Sequence, residues 1–238
     1  GYGGSPASPI QKFDFASTGI TSSWVGTLSE ARRAGSGQSS SVSGYHSGGR
    51  CDAGGYSATI DKFPLSSGSG NATDVGELTY SRCETAGASS TTSGYAAGGR
   101  YPNSDTINKF PFASDSNATD SADLTAGTYR PAGHSSRTHG YVTGGGPPPQ
   151  ATTIQKFSFA ADTNATDVGE LSASKTYGAG QNSAENGYNT SGHPGPSVAG
   201  IDKFPFASDA GSTDIGDVTQ GRCAAAGVSS TTGGYFVS

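Results

Sequence analysis

Ile107-Asn108-Lys109-Phe110 is one of five copies of a single tetrapeptide, Ile-x-Lys-Phe, which begins at Ile10, Ile60, Ile107, Ile154 and Ile201. Successive copies lie 50, 47, 47 and 47 residues apart. The 37 residues after Ile201, taken with the first 10, make up a further 47. The last residues, GYFVS, and the first, GYGGSPASPIQKF, also read like the two halves of the junction GYNTSGHPGPSVAGIDKF. The chain thus reads as five periods of one unit over residues 1–238, with a ring as the arrangement in which neither terminal copy needs a polar cap.

Each unit carries four short apolar or β-branched runs bounded by Gly, Ser, Asn or Asp turn chemistry. In one unit they are residues 85–90, 94–97, 106–112 and 121–124. Four antiparallel strands in fewer than 50 residues is the pattern of a propeller blade. The expected fold is all-β: a five-bladed β-propeller in one domain, with the ring closed by N-terminal outer strands pairing with C-terminal inner strands.

Two positions orient the blade. The first strand carries Gly37, Gly87, Gly133, Gly180 and Gly227, each at the head of a Gly-x-Ser/Asn-Ser motif. Small residues belong where strands converge, which makes this strand the innermost. The third strand supplies the bulk through Phe13, Phe63, Phe110, Phe157 and Phe204, each followed two positions later by Phe or Leu on the same face.

Composition agrees with short strands: 38 of 238 residues are glycine, there is no methionine, and only 14% are charged. A formal charge of −5 lacks the basic footprint that nucleic acid or an anionic membrane requires. No apolar run approaches 18 residues, and Gly-Tyr-Gly-Gly at the start does not read as a signal region, so a chain without membrane insertion is expected. Cys51, Cys83 and Cys223 show no CxxC spacing and read as free thiols.

The unit resembles a kelch repeat. The resemblance rests on the Gly pairs Gly48-Gly49, Gly98-Gly99 and Gly144-Gly145, on the aromatic of the third strand, and on a basic residue opening the next unit at Arg32, Arg82, Lys175 and Arg222. The Trp of that family is matched by Trp24 alone, with Asp74, Asp120, Asp167 and Asp214 at the equivalent positions, so the unit is kelch-like. The wording IDKFPFASD and NATDVGEL also resembles repeats of marine bacteriophage tail-fibre and structural proteins. That resemblance implies a virion or extracellular setting.

In such a blade the loops from strand four to one and from strand two to three share one face, and there the copies differ most. Variable loops on a rigid scaffold are where binding residues are placed. The candidate ligand-binding residues are Arg50, Tyr56, Arg100 and Tyr101 from the second-to-third-strand loops, with Arg33, Tyr129, Arg130 and Tyr177 from the inter-blade loops. Aromatic faces and guanidinium forks suit sugar rings or an acidic glycan. The competing reading is that these side chains only cover the blade ends.

Other motifs read as structural. Asn71, Asn117 and Asn164 open Asn-Ala-Thr and Asn189 opens Asn-Thr-Ser; these glycosylation-type triplets read as Asx turns closing the third-to-fourth-strand hairpins. Asp115, Asn117, Thr119 and Asp120 have an oxygen-ligand flavour, but a calcium site needs more donors than they offer. Lys12, Lys62, Lys109, Lys156 and Lys203 occupy one third-strand position, with heads expected on a carboxylate such as the outer-strand Asp. His134 is placed facing the channel.

No metal or cofactor is expected, and no out-of-pattern group of acids and bases suggests catalysis. The expected function is a non-enzymatic recognition or structural module, binding a host glycan or a partner protein through the variable face. An intracellular kelch-type adaptor and a glycan-active propeller enzyme are the alternatives.

Overall fold

The computed structural model describes residues 9–13, 21–51, 54–66, 70–147, 152–193, 198–230 and 234–237. Every regular element among them is a strand. β1 (Pro9–Lys12) pairs with β2 (Ser23–Thr27). β3 (Arg32–Arg33) and β4 (Ser36–Ser39) both pair with β5 (Ser43–Cys51), which continues to β6 (Tyr56–Pro64) and β7 (Thr73–Glu77). The next sheet is β8 (Ala86–Ser89), β9 (Ser93–Ala97), β10 (Thr106–Pro111) and β11 (Thr119–Asp123). It is followed by β12 (Ala132–Ser135), β13 (His139–Thr143), β14 (Thr153–Ser158) and β15 (Thr166–Glu170). β16 (Ala179–Asn182), β17 (Asn186–Gly192), β18 (Val198–Pro205) and β19 (Thr213–Asp217) make the last complete sheet, and β20 (Ala226–Ser229) pairs with β21 (Gly234–Val237).

The arrangement is a β-propeller of four complete antiparallel blades, which corrects the expected five. The strands assigned to a fifth blade form two separate two-stranded sheets, β1–β2 and β20–β21, and no pairing joins β21 to β1 among the described residues. Residues 1–8 and 238, on which the expected join also rested, lie outside the described residues. In each complete blade a loop ties strand two to strand three and holds their register. β21 and β1 have no such tie, and their pairing would close a far longer loop at a larger entropic cost.

The inner strands show where the series stops. A Cβ built on Gly87 would fall under 3.0 Å from the carbonyl oxygen of Gly37; the same holds for Gly133 against Gly87, Gly180 against Gly133 and Gly227 against Gly180. A Cβ on Gly37 would meet nothing within 4 Å among the described residues. Glycine is therefore required wherever one inner strand leans on the last, as the motif suggested. A second series runs alongside: Ser39 N–H donates to Ser89 Oγ, Ser89 N–H to Ser135 Oγ, Ser135 N–H to Asn182 Oδ1 and Asn182 N–H to Ser229 Oγ.

The core lies between blades. Tyr45 stacks on Phe112 at 4.8 Å and tilts against Phe110; Tyr95 and Tyr141 repeat this on Phe159 with Phe157 and on Phe206 with Phe204. Ile60, Ile107 and Ile154 are fully buried beneath them. Each such side chain contributes roughly 1.5–3 kcal/mol. In the same layer, Phe13 and Leu65 are each 44% exposed.

Three local expectations change. The lysines reach across blades, Lys62 to Asp115, Lys109 to Asp162 and Lys156 to Asp209 at 2.7–2.8 Å, using hairpin carboxylates of the next blade and not the outer-strand Asp. Asn71, Asn117 and Asn164 accept the backbone N–H of Thr27, Glu77 and Asp123 from the preceding outer strand, so they clasp neighbours where a turn within their own hairpin was expected. His134 is 1% exposed and lies between β12 and β16, with its Nδ1 3.3 Å from the Gln181 carbonyl; it does not face the channel. Asn189 is likewise buried.

Buried polar pairs complete the inter-strand packing. Arg32 pairs with Asp61 at 2.8 Å and Lys175 with Asp202 at 2.6 Å, both pairs shut off from solvent. Arg32, Arg82 and Lys175 are thus buried anchors for the second and third strands, whereas Arg222 is exposed.

Candidate functional site

At one end of the axis the backbone does something unusual for non-glycine residues. Ala34, Glu84, Arg130, Tyr177 and Ala224 all have φ between 57° and 62°. The left-handed region disfavours side chains, so it persists only where the surroundings hold it. Here a relay of amides holds it: Glu84 N–H donates to Ala34 C=O, Arg130 N–H to Glu84 C=O, Tyr177 N–H to Arg130 C=O and Ala224 N–H to Tyr177 C=O, at 2.6–3.2 Å. All five residues line a cavity of about 280 Å³.

Of the eight predicted site residues, Arg33, Arg50, Arg100, Tyr101, Arg130 and Tyr177 line this cavity. Tyr56 and Tyr129 do not, yet both are tied to it by ring contacts. Tyr56 stacks on Tyr101 with centroids 4.6 Å apart and planes 15° apart. The Arg100 guanidinium lies 4.6 Å from the Tyr101 ring centre and 5.0 Å from that of Tyr129. The Arg130 guanidinium lies 5.2 Å from Tyr129 and 4.3 Å from Tyr177. The result is a continuous ladder, Tyr56–Tyr101–Arg100–Tyr129–Arg130–Tyr177, running across four blades.

The ladder changes what these aromatics do. They were expected to offer their faces to a ligand, but much of that ring surface meets neighbouring guanidinia and tyrosines. Stacking of this kind holds a planar guanidinium in one orientation and leaves its N–H edge to hydrogen-bond.

Glu84 is a site residue the sequence reading missed. Arg130 Nε donates to Glu84 Oε2 at 3.0 Å and Tyr177 Oη to Glu84 Oε1 at 3.2 Å, with the carboxylate side chain only 6% exposed. Its signal was available: it is the acidic residue at the position held by Ala34, Arg130, Tyr177 and Ala224 in the other units. Arg33, Arg50 and Arg100 have no carboxylate within ion-pair distance among the described residues. The cavity is therefore a cationic pocket on a chain whose formal charge is −5.

Cys83 borders the cavity, but burial, reinforced by the charge of Glu84, pushes its thiol up to about 11, so at neutral pH it holds its proton and is a poor nucleophile. Glu84 is committed to Arg130 and Tyr177. Among the described residues no cluster of His, Cys, Asp or Glu could hold a metal ion, and no helix is long and apolar enough to cross a membrane. Parts of the variable loops, residues 148–151 and 194–197, lie outside the described residues.

A scan of protein-family models finds no match to this chain, and comparison with curated proteins finds none either.

Proposed function

We propose that the chain is a non-enzymatic recognition module of a kelch-like, tail-fibre-like type, belonging to a virion or extracellular fibre and binding a glycan at the axial cavity. The observation that carries this reading is the convergence of six variable-loop residues from four units on one pocket, three of them guanidinia with no carboxylate within ion-pair distance among the described residues. Rigid strands present them and inter-blade amides fix the backbone beneath them, which is how a scaffold lowers the ordering cost of binding. The setting rests on the repeat wording, and the choice of a glycan rests on the size and polarity of the pocket, since about 280 Å³ lies at the small end of ligand sites.

The test is a broad glycan array probed with the purified protein, alongside Arg100→Ala and Tyr101→Ala. Saccharide binding that both substitutions abolish supports the reading. An array without signal, or binding that survives both changes, overturns it.

A further inference from the structure

Arg33 and Arg50 stand directly opposite each other in the antiparallel pairing of β3 with β5. Like charges in that relationship repel and destabilise the sheet. Both side chains line the cavity, and neither is within ion-pair distance of a carboxylate among the described residues. Arg100 stands on the next blade at the position of Arg50: it bridges to Cys83 as Arg50 pairs with Arg33, and it too lines the cavity with no carboxylate within ion-pair distance among the described residues. Three guanidinia thus converge on one side of a small pocket.

The other side is built differently. Arg130 is neutralised by Glu84, which also takes the Tyr177 hydroxyl, and beyond them the wall is Gly178, Ala224 and Ala225. The pocket divides into a cationic half, a neutral hydrogen-bonding half and a small-residue wall. A local arrangement that costs stability without an internal partner is the mark of a site completed by a ligand.

We infer that the site selects an anionic saccharide, whose carboxylate or sulfate group is gripped by Arg33, Arg50 and Arg100 while its ring lies toward Tyr177 and the alanine wall. This deepens, and rests on, the reading of the cavity as a glycan-recognition site. The guanidinium fork matches a planar carboxylate or a sulfate edge with paired N–H donors. Glu84 keeps Arg130 out of that role and repels a second anion from the neutral half. The pocket volume suits one charged sugar residue better than an extended acidic peptide.

Titration calorimetry of the whole chain with three probes of equal length tests this: oligogalacturonate, a sulfated galactan oligomer and a neutral galactan oligomer. Binding of at least one charged probe about tenfold or more above the neutral one is expected, weakening as salt rises. Arg33→Gln and Arg50→Gln should each remove about tenfold of that affinity, with thermal midpoints held or raised because a repulsive pair is relieved. Which charged probe binds better identifies carboxylate or sulfate as the group.

Equal affinity for charged and neutral probes overturns the anionic selection while leaving glycan recognition standing. Silence toward all three, or tighter binding of polyglutamate than of either charged saccharide, overturns the inference; the glycan array then decides separately whether the cavity reads sugars at all. Undiminished affinity in a folded Arg50→Gln protein also overturns it.

Discussion

The α-carbon of Gly133 lies against the carbonyl oxygen of Gly87, so closely that a Cβ on Gly133 would fall under 3.0 Å from it and from the Gly87 amide nitrogen. The obstacle is backbone, which cannot swing aside as a side chain could. Gly133→Ala should therefore destabilise the protein by about 1–3 kcal/mol or more. Gly37→Ala provides the control, because its Cβ would enter open space, and its effect should stay within about 0.5 kcal/mol. Urea midpoints for the two variants check this. A Gly37→Ala loss as large as that of Gly133→Ala would mean that β4 is covered after all.

His134 makes stability pH-dependent. Its Nδ1–H donates to the Gln181 carbonyl and its Nε2 faces the Thr143 hydroxyl at 2.8 Å, while Asn189 Nδ2 donates to that same hydroxyl. The network holds a neutral ring, and burial lowers its pKa to about 4 from an ordinary 6.5. Between those values the unfolded chain binds the extra proton and the folded chain does not, so stability falls as pH drops through 6.5 and the loss levels off below about 4. The penalty is on the order of 3 kcal/mol at its limit. His134→Gln, which places there the residue found at Gln38 and Gln181, should remove this part of the slope. Parallel denaturation series at pH 7 and pH 4.5 would show the two proteins diverging at neither pH if the ring carries no such penalty.

Arg82 is fully buried and, among the described residues, has no carboxylate within ion-pair distance, although Asp61 and Asp202 serve Arg32 and Lys175 at the equivalent place. Asn108 stands there instead: its Oδ1 accepts from the Thr79 backbone N–H at 2.9 Å and from the Thr79 hydroxyl, and its Nδ2 has no partner. Asn108→Asp keeps both accepted bonds, removes an orphan donor and supplies a counter-charge. A gain of about 1 kcal/mol at pH 7 is expected, fading as pH falls through the new carboxylate's depressed pKa. The thermal midpoint as a function of pH measures it, and a loss at pH 7 would show that desolvating the carboxylate outweighs the pairing.

Much of the blade was legible in the sequence because strands are local objects. Turn residues and period-two patterning place β8, β9, β10 and β11 within three residues of the sequence reading at every boundary. Gly87 and Phe110 each reveal their layer by size alone. Lys109 was different: its repeat position announced a structural role, but the carboxylate it meets, Asp162, lies 53 residues away on the next blade. The candidate arginines and tyrosines were legible as a group from loop variation. Their stacking order, and the part played by Glu84, were not, because one-dimensional spacing carries no distance between loops of different blades.

By itself the sequence determined the repeating unit, the order of strands within it, the glycine inner edge and the aromatic layer. Each follows from steric size, side-chain polarity and turn chemistry acting over a few residues. The tertiary structure alone decided that four blades are complete, that the outer strands β1–β2 and the inner strands β20–β21 remain separate sheets, and that Arg33, Arg50 and Arg100 converge beside a Glu84–Arg130 pair. Those relationships depend on how whole blade faces pack and rotate against one another, and that sums over many weak contacts between residues distant in the chain.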